Sequence, residues 1–209
     1  MVQIVRESDT LPPWCQLKRF SISTLDKHGV RIEPKWPNER LLITVGSVNV
    51  VRQGRSQVFG TGQFVDFDLD GTITVKAVYA SAQVARLSGA WGPEMGGCGV
   101  FTARDSDSPS DRGDRVSYPK STSIDSHYHD CDEYWILLEG RATVVVNNEA
   151  AEMKIGECLC IGMGHQHDMP HAPEPVKAIF FETSLEREKR LGHLWEHTHG
   201  PAVPAVGRD

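Results

Sequence analysis

Three histidines and one glutamate, His127, His129, Glu133 and His167, are the residues of this 209-residue chain whose types and spacing could do chemistry. His127 and His129 flank Tyr128, so on an extended strand both imidazoles leave the same face. Glu133 follows four residues later, within reach of that face after a short bend, and His167 arrives from a separate strand. Three neutral imidazoles and one carboxylate suit a single divalent transition ion, with Mn, Fe, Zn or Ni as the candidates and Cu also compatible. Four protein ligands leave one or two coordination positions open to water, dioxygen or substrate, which separates a working site from a closed structural one.

Other residues cluster around this set. His165, two before His167, could enter the same cavity as a proton carrier or act as a hydrogen-bonding neighbour of a ligand. Glu182 is a second candidate catalytic group. Trp135 shares the strand parity of Glu133 and should face inward, either stacking on a sugar-like ring or filling the core. His171 joins it as a candidate substrate contact. His193, His197 and His199 look like another ligand set, but with no carboxylate partner they read as a solvated helix end. Cys158 and Cys160 sit two apart and read as small buried residues on one strand face.

The elements that must position these groups are strands. Short β-branched and aromatic runs alternate with Gly, Asn, Asp and Pro, at 41–45, 48–52, 63–68, 72–79, 82–87, 134–138, 142–146, 151–155, 157–161 and 176–182. One segment reads as helix, about 184–196 (184–199 at its widest). Thr183 and Glu186 make a capping-box pattern there, with Leu185, Leu191, Leu194 and Trp195 at near-helical spacing. Residues 103–115 read as a linker or mobile loop and 200–209 as a loose tail.

Composition bounds the rest. Apolar residues make up 39% and charged residues 24%, with a net charge of −6 and no basic run. Nucleic acid and anionic membranes are therefore not expected as partners. The five cysteines form no repeated framework, the first residues lack a secretory layout, and no apolar stretch approaches a spanning helix. A cytoplasmic protein with a small-molecule substrate is the expectation.

The text around the ligands resembles the cupin superfamily. Its first motif, G-x5-H-x-H-x3-4-E-x6-G, is matched by His127, His129, Glu133 and Gly140. Its second, G-x5-P-x-G-x2-H-x3-N, is matched by Gly156, Gly164 and His167. Ser121 replaces the first glycine, Gly162 the proline and His171 the asparagine, and none of these is a ligand position. The resemblance implies an all-β double-stranded β-helix, a jelly-roll barrel with the metal toward one mouth. It also implies pairing of sheet edges as a homodimer, unless two halves of one chain supply that pairing.

An internal repeat supports two halves. At an offset of 94 residues Glu133 falls on Glu39, Gly140 on Gly46 and Gly156 on Gly62. The expected organisation is a degenerate cupin-like half at 15–95, a metal-binding half at 112–183, and then the short C-terminal helix. In the first half the ligand positions become Glu33, Lys35, Glu39 and Ile73, a set that cannot complete a metal shell. Either the Lys35 ammonium lies between Glu33 and Glu39 in place of an ion, or all three are solvated.

Cupins of this ligand set serve many reactions, so the motif fixes the site better than the activity. The polar residues near the ligands (Asp125, Tyr128, Asp130, Asp132, His165, Asp168) favour an isomerase, epimerase or lyase acting on a sugar-like or keto/hydroxy acid. The run HYHDCDEYWILLEGRA is also similar to the cupin segment attached to mannose-phosphate isomerases. An apolar lining of Trp135, Leu137, Met163, Met169 and Phe180 would favour an Fe(II) dioxygenase. A non-catalytic metal- or ligand-binding module is the third alternative.

Overall fold

The computed structural model describes residues 1–208. After β1 (Gln3–Arg6) the chain forms β2 (Leu17–Leu25), β3 (Val30–Ile32), β4 (Asn38–Val45), β5 (Ser47–Arg52), β6 (Arg55–Gly60), β7 (Phe64–Phe67), β8 (Ile73–Ala77) and β9 (Ala82–Gly89). It continues through β10 (Met95–Ala103), β11 (Glu133–Glu139), β12 (Arg141–Val146), β13 (Glu149–Lys154), β14 (Glu157–Ile161), β15 (His167–His171), β16 (Val176–Ser184) and the helix α1 (Glu196–His199). Contacts divide the chain into two units, residues 16–91 and residues 1–15 with 92–208. Among the described residues no helix is long and apolar enough to cross a membrane.

In the unit of residues 16–91 the sheets run β2-β9-β4-β7 and β3-β8-β5-β6, every pair antiparallel. Alternation along β8, Ile73, Val75 and Ala77 inward, places those side chains with Leu41, Ile43, Val48 and Val84 in one core. The other unit has sheets β1-β14-β11-β16-β10 and β13-β12-β15. Its core joins Trp135, Leu137, Val144, Met153, Leu159, Ile161 and Met169. The order β10-β16-β11-β14 repeats β2-β9-β4-β7, and β5, β6 and β8 map onto β12, β13 and β15 at the 94-residue offset.

The repeat has a backbone cause. Gly46 and Gly140 both take left-handed φ, +81° and +78°, where the strand turns into the next. The paired hairpin tips, Gln53-Gly54 and Asn147-Asn148, also have positive φ at both residues, the conformation that matches a tight hairpin to strand twist.

Several expectations change. The halves expected at 15–95 and 112–183 become 16–91 and a larger unit that recruits residues 1–15 and 92–111. In that larger unit β1 pairs with β14, and β10 pairs with β16. Glycine-rich β10 was not readable as a strand, because Gly96, Gly97 and Gly99 lower strand propensity. Each accommodates a side chain from β16: an added Cβ on Gly99 would lie 2.7 Å from Phe180, and one on Gly96 would lie 2.6 Å from Glu182 Cβ.

The helix expected at 184–196 shrinks to the single turn α1 at Glu196–His199, and residues 184–195 are not helical. Thr183 lies within β16 and its hydroxyl donates to the Asp132 carbonyl at 3.1 Å instead of capping. The amides of Leu185, Glu186 and Leu194 donate to the carbonyls of Glu94, Asp130 and Tyr128. Positive φ at Arg187, Lys189 and Gly192 rules out continuous helix, and Leu191 is exposed. The expected loose tail is also pinned through residue 208: Ala205 donates to the Met163 carbonyl, and Arg208 binds Asp132 at 2.8 Å and Glu186 at 2.6 Å. Asp209 lies outside the described residues.

Candidate metal centre

The four predicted ligands meet. A bridge between His127 and His167, with reciprocal backbone hydrogen bonds of 3.1 and 2.8 Å, docks the 127–129 segment against β15. Glu133 starts β11, paired on one side with Ile161 of β14 and on the other with Glu182 of β16. All four side chains are buried, and their ligating atoms lie within 4.8 Å of one another. Glu133 Oε2 is 2.8 Å from His167 Nε2 and 3.3 Å from His129 Nε2.

Their orientation comes from the backbone. His127 Nδ1 faces the Asp125 carbonyl at 2.7 Å and His167 Nδ1 faces its own neighbour's carbonyl, His165 O, at 2.9 Å. A carbonyl only accepts, so Nδ1 carries the hydrogen and the Nε2 lone pair points at the centre. Trp135 Nε1–H donates to Glu133 Oε1 at 2.7 Å, which turns Oε2 toward the imidazoles. Among the described residues, the three Nε2 atoms and Glu133 Oε2 have no hydrogen-bond partner. Four buried lone-pair donors converging this closely are stable around a cation, and three imidazoles with one carboxylate are a donor set for Mn, Fe, Ni or Zn. The residues fit the ion.

The electrostatics differ from group to group. Burial, reinforced by His167, His129 and His193, holds His127 well below the ordinary imidazole range, so its ring is neutral. Burial alone would raise Glu133, but His129 and His167 hold it well below the carboxylate range. Burial works against a charged His129, and Glu133 more than offsets it, raising His129.

A cavity of about 170 Å³ opens beside the ligands, walled by Phe101, Ile124, Trp135, Phe180, Glu182 and His193. Glu182 lies 4.0 Å from His129 Nε2, and His129, Cys131 and Glu182 form a second close group of potential ligands. Burial and the Glu133 charge push Glu182 up to about 7, with His129 acting the other way. Among the described residues no hydrogen bond engages its carboxyl group.

His193, expected in a solvated helix end with His197 and His199, instead lines the cavity. The 185–195 strap carries it over the cradle, stacked on His127 with ring centroids 3.6 Å apart and 12° between planes, and with Asp125 at 3.5 Å. No spacing rule links it to the motif; only the non-helical path of the strap brings it there. His197 instead binds Asp114 at 2.7 Å, and His199 accepts from the Trp195 amide at 2.9 Å.

Two candidates fall elsewhere. His165 lines a separate small cavity with its Nδ1 2.6 Å from Asn147, because successive side chains around the tight 162–165 turn diverge. His171 is exposed at the far end of β15, bound to Asp105 and Ser121, four positions along the strand from His167. Trp135 does line the cavity, with its polar edge committed to Glu133. The polar residues thought to favour a sugar-like substrate do not wall the cavity either. Asp130 binds Arg190 at 2.9 Å, Asp132 binds Arg208, Asp168 binds Lys120 at 2.9 Å, and the Tyr128 hydroxyl donates to Gly200 O. They tie the ligand-bearing segments in place. Leu137, Met163 and Met169 are buried but also lie off the cavity wall.

In the other unit Lys35 does not bridge Glu33 and Glu39. Its main-chain amide donates to Glu39 Oε1 at 2.9 Å, and its side chain is exposed. Arg86 supplies the cation, with Nε to Glu39 Oε2 and Nη2 to Glu39 Oε1, both 2.8 Å, while Ser88 Oγ donates at 2.5 Å. Arg86 was invisible as a partner because it enters from β9, 47 residues away.

Comparison with known proteins agrees with this geometry. Residues 114–182 match the cupin domain family. The chain is 48% identical over 200 residues to the uncharacterized protein y4oW of Sinorhizobium fredii, covering 95% of this chain and 93% of that one. It is similar in fold to a conserved Pseudomonas aeruginosa protein of unknown function, at 12% identity, TM-score 0.58, 90% of this chain and 100% of the other. The oxalate decarboxylase of Lactobacillus farciminis matches at 12% identity and TM-score 0.53, over 88% of this chain and 86% of that one.

Proposed function

We propose that this chain, whose residues 114–182 match the cupin domain family, is a mononuclear metal-dependent enzyme that moves a proton on a small oxygenated substrate, of isomerase, epimerase or lyase type. The observation that carries the reading is Glu182, a carboxyl group facing the cavity 4.0 Å from a ligand and not engaged by hydrogen bonds among the described residues. A divalent ion held by His127, His129, Glu133 and His167 would act as a Lewis acid on a substrate carbonyl or hydroxyl oxygen. Glu182 would take a proton from, or return it to, the substrate atom next to that oxygen. Phe101, Ile124, Trp135 and Phe180 exclude water and hold the carbon skeleton, and the cavity of about 170 Å³ limits the substrate to a few carbons with their oxygens. His193 closes the side above His127 and orients what enters.

The test is elemental analysis of the purified chain, followed by turnover of small keto acids, hydroxy acids and sugars with and without oxygen. Glu182→Gln should keep the metal and lower kcat by about 10²–10⁴-fold, the usual contribution of a positioned acid or base. Wild-type turnover that requires oxygen would refute the proposal. It would support a second reading, an Fe(II) dioxygenase, which the aromatic and aliphatic cavity wall favours. Retained metal with no turnover across the panel would instead identify a binding module.

A further inference from the structure

The unit of residues 16–91 holds a second cavity, about 120 Å³, at the place that the 94-residue repeat makes equivalent to the metal cradle. Glu39 stands where Glu133 stands in the other unit. Its carboxylate, fully enclosed, is occupied by the Arg86 fork and the Ser88 hydroxyl, so the cation slot of this unit is filled by a guanidinium. The cavity beyond it is lined by Arg19, Lys35 and Trp36 as well as Arg86 and Glu39.

The charges do not balance. Three cations face one carboxylate, and that carboxylate is spent on Arg86. Arg19 and Lys35 have no carboxylate within ion-pair distance among the described residues, whereas the neighbouring Glu33 is held by Arg31 at 3.5 Å. Two unneutralised cations around a concave space, with a half-buried indole as one wall, attract an organic anion of matching charge. The Arg86–Glu39 pair supplies a fixed polar floor, because a bidentate guanidinium keeps its orientation without rearrangement.

We propose that this cavity binds a small organic dianion of the dicarboxylate class, one carboxylate near Arg19 and one near Lys35, with its carbon skeleton against Trp36. This site is separate from the metal centre and does not depend on the reading of Glu182. The dimensions admit a four-carbon skeleton and exclude a nucleotide.

The probe is fumarate, planar and doubly charged, titrated into the full chain by calorimetry in EDTA-containing buffer at low salt. Saturable binding should persist in the His127→Ala/His129→Ala variant, which removes the other place where a carboxylate could lodge. It should weaken at least tenfold in Arg19→Gln/Lys35→Gln, whose substitutions lie on exposed side chains and spare the core. Trp36→Leu should weaken it several-fold, and added salt should weaken it further. No saturable binding to wild type, binding lost in the histidine variant, or binding unchanged in Arg19→Gln/Lys35→Gln would each overturn the proposal. Uptake of inorganic phosphate but not fumarate would overturn the dicarboxylate assignment.

Discussion

Replacing Arg86 with methionine tests how the metal-lacking unit holds its buried carboxylate. The Arg86 guanidinium bonds both oxygens of Glu39 at 2.8 Å, and the Glu39 side chain has no exposed surface. Burial alone would raise Glu39; Arg86, the Lys35 amide and the Ser88 hydroxyl overcome it and hold the carboxyl below its ordinary range. Without Arg86 the carboxylate is stranded, a change that costs about 3–5 kcal/mol when one partner of a buried pair is removed. Protonation caps that cost. Holding a glutamic acid neutral at pH 7, against a reference pKa of about 4.3, costs roughly 3.7 kcal/mol at 1.36 kcal/mol per pH unit. At pH 5 the same cap is only about 1 kcal/mol.

The sign follows from linkage. In the wild type the folded Glu39 lies below its unfolded value, so its contribution is present above about pH 4.3 and is lost as pH falls through the lowered folded value. In Arg86→Met the folded value rises instead, and stability is lost as pH climbs above about 4.3. The gap between the two proteins should therefore widen by up to about 3 kcal/mol between pH 5 and pH 7. Urea unfolding at both pH values, with hydrogen exchange of the β4 and β9 amides, measures it. Glu39→Gln/Arg86→Met should recover most of the pH 7 loss. An equal loss at both pH values, or less than about 1 kcal/mol at pH 7, would refute the account of a stranded charge.

Gly96→Ala places a methyl 2.6 Å from Glu182 Cβ and 3.1 Å from Cys131 Sγ. It should cost about 1–3 kcal/mol by overpacking, seen as a lower thermal midpoint with metal content unchanged. Arg190→Ala frees Asp130 and loosens the strap that carries His193. Metal affinity, read by competition with a chelator, should fall about 10-fold, the low end for residues that support ligands, while 185–195 exchanges amide hydrogens faster. Asp114→Asn weakens the anchor of α1, where Asp114 accepts from the Glu196 and His197 amides and faces the His197 ring. Burial would raise Asp114, but those bonds lower it. Its stabilisation, about 1–2 kcal/mol, should be complete above pH 4 and disappear as pH falls through the folded value, as urea unfolding at pH 6 and pH 3 would show.

Local spacing made the centre of this protein readable. His127 and His129 two apart, Glu133 four later, and His167 after the Gly156 and Gly164 turns are short-range facts, and strand pleat and left-handed glycines convert them into one inward face. The repeat was readable for the same reason, since Gly46 and Gly140 must turn the chain at equivalent places whatever fills the core.

Three things were decided only when distant segments met. The 184–196 segment carries a helical pattern, yet its amides find carbonyls at Glu94, Asp130 and Tyr128, and those bonds outweigh a local preference worth tenths of a kcal/mol per residue. That choice put His193 over the metal cradle. Arg86 rather than Lys35 neutralises Glu39, because a partner 47 residues away on the neighbouring strand meets the carboxylate and one four residues away meets it only with its amide. The cavity wall is largely aromatic and aliphatic because Phe101 of β10 and Phe180 of β16 both line it beside Glu182, while Asp130, Asp132 and Asp168 are buried against Arg190, Arg208 and Lys120. Sequence carries the period of a strand; which side chains close a cavity depends on register between strands far apart in the chain.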